Sequence, residues 1–136
     1  MQTSSSFADS FRTLTELDHA RLMRLAPGIL PDALADALEQ ADLVDPREAP
    51  SDLVTMRSRV EIVDLDSGAR QQLTLCYPAE AAPADGRISV LSPVGTGLLG
   101  LRAGAETSWT TPQGIRHRVR VEAVPFQPEA SGDHLS

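Results

Sequence analysis

The stretch Ile88-Ser89-Val90-Leu91-Ser92-Pro93-Val94-Gly95-Thr96-Gly97-Leu98-Leu99-Gly100 decides the fold of this 136-residue chain. It begins as a strand, with the β-branched Ile88 and Val90 on one side. Ser92 then predicts a helix N-cap, and Pro93 suits the first helical position. The glycines after Pro93 indicate that the helix is short. Because so short a helix is not stable alone, we expect it to pack closely on a sheet.

Two helices are predicted ahead of this stretch. Thr13 and Glu16 fit a capping box that starts a helix of about 13 residues, reaching about Ala26. A second helix of similar length begins at Pro31 and Asp32. The short connection between them predicts an antiparallel hairpin, or short coiled coil, over residues 13–45. The predicted tip of the hairpin contains Gly28, Ile29 and Asp32.

A change of hydrophobic period marks a domain boundary. Residues 45–51 contain two prolines and predict a linker between the hairpin and a second domain over 52–136, and a disordered tail is predicted over 1–12. The second domain alternates apolar and polar residues as strands do. We expect an α+β fold, a mainly antiparallel sheet with one short helix on a face. The predicted strands are Val54–Val63, Gln71–Tyr77, a strand starting at Ile88, Glu106–Thr110 and Ile115–Val124.

Composition excludes several classes of protein. A net charge of −7 argues against binding nucleic acid through bulk charge. No apolar run approaches the roughly 20 residues that a membrane helix needs. The N-terminus lacks the pattern of a secretory signal, and the single cysteine, Cys76, allows no intrachain disulfide. We therefore expect a cytoplasmic protein with no membrane contact.

Few residues have the spacing of a chemical site. The three histidines are scattered, so neither a metal site nor any other cofactor is expected. Cys76 lies in a strand pattern and is predicted to be a buried structural thiol. Asp64 and Asp66 flank a glycine-containing turn and are predicted turn formers. Gly95 and Gly97 lack the lysine of a phosphate loop and are predicted to permit close contact between helix and sheet.

Three blocks of the sequence carry a resemblance to known families. The block ISVLSPVGTGLLGLRAGAETSW resembles the C-terminal domain of the bacterial transcript-cleavage factors GreA and GreB. Together with LVDPREAPSDLVTMRSRVEIVDLDSG and FQPEASGDHL, it resembles more closely the Rnk family, the regulators of nucleoside diphosphate kinase. The resemblance implies an FKBP-like version of the fold. It also implies a transcription regulator that binds RNA polymerase at the secondary channel.

The resemblance also implies where such a partner binds. Gre factors dock the globular domain at the rim of the channel and insert a hairpin whose paired acids hold a catalytic metal. The predicted tip has one acid, Asp32, so transcript cleavage and other enzyme activity are not expected. We expect a monomer that binds polymerase without sequence-specific contact to nucleic acid. The turn implied to contact polymerase contains Leu91, Ser92, Pro93 and Val94.

A second surface and a second function are left open. Arg57 and Arg59 on the first strand and Arg118 and Arg120 on the last form either an ordinary solvent face or a basic patch for an acidic partner. The alternative function is a peptidyl-prolyl isomerase, because FKBP-like folds include such enzymes. The aromatic side chains available for its pocket in the second domain are Tyr77, Trp109 and Phe126, which is few for an apolar pocket.

Overall fold

The computed structural model describes residues 12–25, 28 and 30–132, so most of the predicted tail over 1–12 lies outside it. Three short 3-10 helices, at Pro46–Glu48, Pro78–Glu80 and Pro83–Asp85, connect longer elements. Within the described part of the chain, no helix is long and apolar enough to cross a membrane. In chain order the longer elements are β1 (Thr13–Thr15), α1 (Glu16–Met23), α2 (Asp32–Gln40), β2 (Asp42–Val44), β3 (Arg59–Asp64), β4 (Arg70–Cys76), β5 (Arg87–Ser89), α3 (Pro93–Leu98), β6 (Glu106–Thr110) and β7 (Arg116–Phe126).

Five of the strands form one mainly antiparallel sheet in the order β5-β4-β3-β7-β6. Strand β3 runs antiparallel to both neighbours, and β6 and β7 form a hairpin. Strand β5 joins the other edge in parallel with β4. The predicted fold class, α+β with a mainly antiparallel sheet and one short helix packed on it, is confirmed.

The sheet is curled around α3. This helix contacts β5 and β6, which are the two opposite edges of the sheet. The pairing of β3 with β7 shifts register between Arg59 and Ile62, and such bulges increase the bend and twist of a strand. The predicted close contact is confirmed, because a Cβ on Gly97 would lie 3.2 Å from Thr107 Oγ1. A Cβ on Gly95 would lie 2.9 Å from the Cα of Val90.

The N-terminal elements differ from the prediction at their start. Thr13 is not the N-cap of the first helix, because it pairs with Asp42 as part of two parallel strands, β1 and β2. The cap is Thr15, whose side-chain oxygen accepts the backbone N–H of Asp18 at 3.0 Å. Helix α1 has eight residues and ends at Met23, and α2 has nine, so both are shorter than predicted.

Both N-terminal helices contribute to a core that they share with the sheet. Leu22 of α1 and Leu34 and Leu38 of α2 are buried in the same cluster as Val60 and Val121 of the sheet. Full burial of one leucine side chain contributes about 1.5–3 kcal/mol to folding. The apolar faces of the two helices are therefore held against the sheet strands.

Strand β3 begins later than predicted, which separates two of the candidate arginines. Residues Thr55 to Ser58 form a turn in which Ser58 Oγ accepts the N–H of Thr55 at 3.0 Å. Arg57 adopts a left-handed conformation with φ of 68°. The prediction that Arg57 and Arg59 lie on one face of one strand is therefore wrong. The other strand limits agree with the prediction within one or two residues, and those of β6 agree at both ends.

Candidate docking site

A network of hydrogen bonds fixes the turn that leads into α3. Ser92 Oγ accepts the N–H of Gly95 at 3.1 Å and donates to the carbonyl of Ser89 at 2.7 Å. Ser89 Oγ in turn accepts the N–H of Leu91 at 3.0 Å. The predicted cap at Ser92 and the helix start at Pro93 are confirmed. These hydrogen bonds hold the backbone of the turn from Ser89 to Gly95.

The other end of α3 is held by the N-terminal segment. The Arg12 guanidinium donates to the carbonyls of Thr96 at 2.7 Å and Leu99 at 2.9 Å. The last carbonyl groups of a helix have no hydrogen-bond partner within the helix, and its C-terminal end attracts positive charge. Burial lowers the pKa of Arg12. Helix α3 is thus fixed at both ends although it is only six residues long.

An apolar groove opens beside the start of α3. It has a volume of about 480 Å³ and lies on the side of the sheet that α3 partly covers. Val94, on the first turn of α3, forms one wall, so the predicted contact turn borders the groove. Most of its exposed lining is apolar, and its apolar side chains are Ile62, Ala69, Leu73, Ile88, Val94, Trp109 and Val119.

Polar side chains rim this groove. His117 on β7 pairs with Trp109 on β6 and stacks against its ring, with the ring centroids 5.5 Å apart. Asp64 also lies at the rim and pairs with Val119, two residues along β7 from His117, and its Oδ1 accepts the N–H groups of Ser67 and Asp66. These hydrogen bonds lower the pKa of Asp64, so it carries a negative charge at neutral pH. The groove thus has an apolar floor, one aromatic wall and a charged rim.

The four candidate arginines are only partly brought together. Arg118 and Arg120 alternate with the buried Val119 and Val121 on β7, so they lie on the face of the sheet turned away from the core. Arg59 alternates in the same way with the buried Val60 on β3. Arg118 is paired with Asp66 at 2.9 Å and Arg120 with the carboxylate of Glu122 at 2.8 Å.

Arg57 belongs to a separate surface. It pairs with both carboxylate oxygens of Glu80, the shortest contact being 2.8 Å, and its guanidinium lies over the ring of Tyr77. Acids therefore neutralise three of the four predicted positive charges, Arg57, Arg118 and Arg120.

The predicted hairpin tip is only partly described. Gly28 has a φ of +84°, which suits a glycine at a turn, and Ile29 lies outside the described residues. Asp32 is exposed in the first turn of α2, where an acid favours the helix dipole. Across the described residues no cluster of three histidines, cysteines or acids could hold a metal ion.

Two further sequence predictions concern single residues. Cys76 is 2% exposed, as predicted for a structural thiol, and burial raises the pKa of its thiol. Asp64 organises the turn between β3 and β4 through its two accepted hydrogen bonds, which confirms its role as a turn former. Asp66 contributes an N–H to the same turn and a carboxylate to Arg118.

Comparison with known proteins identifies the family. The model of the family "Transcription elongation factor, GreA/GreB, C-term" matches residues 49–126, which include the whole five-stranded sheet and α3. The chain belongs to the GreA/GreB C-terminal family. The family segment thus contains both the fixed turn at Ser92 and the apolar groove.

Individual relatives divide into two groups. The "Regulator of nucleoside diphosphate kinase" of Escherichia coli K12 is 42% identical over 106 residues, covering 78% of each chain. The GreA elongation factor of Listeria welshimeri is 34% identical over 67% of this chain and 56% of its own. The match to the regulator therefore extends over more of both proteins.

A solved structure shows the same relationship in three dimensions. The transcription elongation factor GreA/GreB of Nitrosomonas europaea superposes with a TM-score of 0.70 at 36% identity. It covers 85% of this chain and 98% of that structure. The similarity to a Gre-family protein therefore reaches beyond the matched family segment.

Reasoning from sequence missed the groove of this Gre-family domain. The turn at Ser92 was predicted, but Trp109 and His117 were not assigned to a site with it. A signal was available for that pair, because a hairpin turn at Pro112–Gly114 places the two rings opposite each other. The two rings line the same groove as Ile88 because the sheet is curled, and no local sequence pattern predicts that curl.

Proposed function

We propose that this chain is a monomeric transcription regulator that binds RNA polymerase at the secondary channel and does not stimulate transcript cleavage. Its family and its elongation-factor relatives support a role in transcription. The 42% identical relative further suggests that nucleoside diphosphate kinase is what it regulates. The observation that carries the proposal is the rigid turn at Ser92 beside an open apolar groove.

The turn and groove have the physical properties of a protein-binding site. Hydrogen bonds already order the backbone from Ser89 to Gly95, so little conformational entropy remains to be lost on binding. Pro93 is exposed at the front of the turn, and Val94 links the turn to the groove. An apolar side chain of the partner can therefore be buried beside a rigid rim, which is typical of binding hot spots.

Binding to core RNA polymerase tests the proposal directly. We expect the purified chain to bind the core enzyme and to compete with GreA or GreB. Replacing Ser92 or Pro93 with alanine should weaken binding about fivefold, or about 1 kcal/mol, because the turn is no longer ordered in advance. The affinities are measured by competition titration, after the melting temperature of each variant has been checked.

Matched substitutions outside the turn and the groove lining serve as controls for the turn. Ser108→Ala on β6 and Pro112→Ala in the β6–β7 turn remove the same groups at exposed positions away from the groove. These controls should bind polymerase as the unchanged chain does. If Ser92→Ala and Pro93→Ala also stay within twofold, the turn is not the contact.

We expect no stimulation of transcript cleavage. Metal-dependent cleavage needs several carboxylates close together to hold the cation, and Asp32 is the acid at the predicted tip. Adding the chain to a backtracked elongation complex should leave the length of the RNA unchanged, as read on a sequencing gel, while GreA shortens it. Shortening by the chain that disappears in Asp32→Ala would contradict this part of the proposal.

The isomerase alternative receives no support. The relatives are named as a regulator and as elongation factors rather than as enzymes. Of the three aromatic residues considered, Trp109 lines the groove, whereas Tyr77 and Phe126 are not among its lining residues. The sheet face containing Arg59 and the acid-paired Arg118 and Arg120 remains the second candidate for contact with polymerase.

A further inference from the structure

A buried carboxylate lies where the N-terminal helices meet the sheet domain. Asp18 on α1 is 4% exposed, and its Oδ2 accepts the backbone N–H of Met56 at 3.0 Å. Met56 belongs to the turn that precedes β3. This hydrogen bond therefore joins α1 to the sheet domain through a group that can gain or lose a proton.

A second acid is hydrogen-bonded to the same turn. Glu129, in the C-terminal segment after β7, accepts a hydrogen bond from Thr55 Oγ1 at 2.7 Å. Thr55 is in turn bonded to Ser58 at 2.8 Å, so the turn is held from inside as well. The charge of Glu129 acts on Asp18 across this turn and opposes its ionisation. Two acids thus face one buried segment of backbone.

The groups around Asp18 determine its charge. Burial is the largest influence and raises the pKa of Asp18 to about 6, with Glu129 acting in the same direction. The hydrogen bonds from Met56 and Thr15 and the positive charge of Arg21 oppose this rise without overcoming it. Burial also raises the pKa of the nearby Tyr77 to about 12, so that hydroxyl stays neutral.

The turn itself is held by several other contacts, so breaking the Asp18 contact requires α1 to move, against the core packing of Leu22. Arg57 has a strained left-handed backbone, and its side chain is fastened to Glu80 and packed over Tyr77. Gln127 donates to the carbonyls of Pro50 and Leu53 on the other side. When the contact with Asp18 breaks, α1 is therefore the element expected to move.

We propose that Asp18, with Glu129 bonded to the same turn, is a proton-controlled contact, or latch, that holds α1 on the turn at Thr55–Ser58. When Asp18 is protonated, no charge is buried at the contact with Met56, and α1 stays packed on the turn. When Asp18 is ionised, movement of α1 away from the turn exposes the carboxylate to water, so this opening becomes more favourable. The latch is independent of the proposed role in transcription, because it requires only the contacts within this chain.

The direction of the pH effect follows from proton linkage. The closed state binds the proton more tightly than the open state, in which Asp18 returns to its ordinary pKa of 3.8. The stabilisation is therefore complete below about pH 4 and is lost as the pH rises through about 6. Between pH 5 and pH 8 the equilibrium constant for opening α1 should rise about tenfold.

Amide hydrogen exchange on the full chain measures this opening. Protection factors of α1 amides, corrected for the intrinsic rate, should fall about tenfold from pH 5 to pH 8. Amides of β3 report global unfolding and should be better protected than those of α1 at both pH values. Protection in α1 that does not change with pH, or that equals that of β3, would overturn the latch.

Conservative variants identify the group responsible. Asp18→Asn keeps an oxygen that can accept from Met56, and protection of α1 should then differ less than twofold between pH 5 and pH 8. Asp36→Asn on α2 removes an exposed carboxylate and should leave the tenfold change intact. The carboxyl carbon shift of Asp18 in the unchanged chain should titrate near pH 6, which tests the assignment even if a variant does not fold.

Discussion

Replacing Gly95 with alanine is expected to lower the free energy of unfolding by about 4 kcal/mol or more, a large part of the roughly 5–15 kcal/mol that stabilises a folded domain. The added Cβ would overlap the carbonyl oxygen of Ser89 and lie 2.9 Å from the Cα of Val90. Both obstacles are backbone atoms, so no rotation of a side chain relieves the clash. Urea denaturation followed by circular dichroism gives the change in free energy.

Alanine substitutions at two other glycines provide a comparison for the effect at Gly95. In Gly97→Ala the new methyl group meets the side chain of Thr107 at 3.2 Å, and that side chain can shift. Gly104 has a φ of +94° with open space around it, so alanine there adds backbone strain without a clash. We expect each to cost at most about 2 kcal/mol. A loss at Gly95→Ala no larger than these would show that α3 can move away from β5.

Elements with strong local signals were predicted well. Ser92 and Pro93 combine a cap with a preferred first position, and α3 begins where they indicate. The strand Glu106–Thr110 is bounded by Gly104 and Pro112, and its limits are correct. In both places local chemistry and the requirements of the sheet favour the same structure.

Errors arose where a distant contact chose between two local possibilities. Thr13 and Thr15 each have an acid three residues later, so either can cap a helix. Pairing of Thr13 with Asp42, far along the chain, decides in favour of Thr15. Similarly, Met56 is buried in the same core cluster as Val60, so its burial resembles that of a strand residue although a turn at Arg57 separates the two.

Only part of the candidate site could be predicted from the sequence, because the rest depends on contacts between distant residues. The turn at Ser92 lies within a few consecutive residues, whereas the groove combines side chains from five strands and one helix. Asp18 has no local signal either, since an acid in the first turn of a helix is ordinarily exposed. The division of the chain into a hairpin over 13–45 and a domain over 52–136 stays a prediction.

Placing a carboxylate in the groove by Val94→Asp is expected to weaken binding to core RNA polymerase more than thirtyfold, or about 2 kcal/mol. An apolar partner side chain seated there would bury the new charge without a partner, at a cost that exceeds this amount. The variant should still fold, because position 94 is half-buried at the start of α3, where an acid is tolerated. Competition titration against GreA gives the affinity.

A charge-matched variant separates the groove from electrostatics in general. Thr110→Asp adds the same charge at an exposed position on β6, opposite Arg116 and outside the groove. It should change the affinity less than threefold, since exposed charges are screened by salt. Equal losses in both variants would indicate overall repulsion by an acidic polymerase surface. Unchanged binding in Val94→Asp would remove the groove from the proposal and leave the face of Arg59, Arg118 and Arg120 as the contact to test.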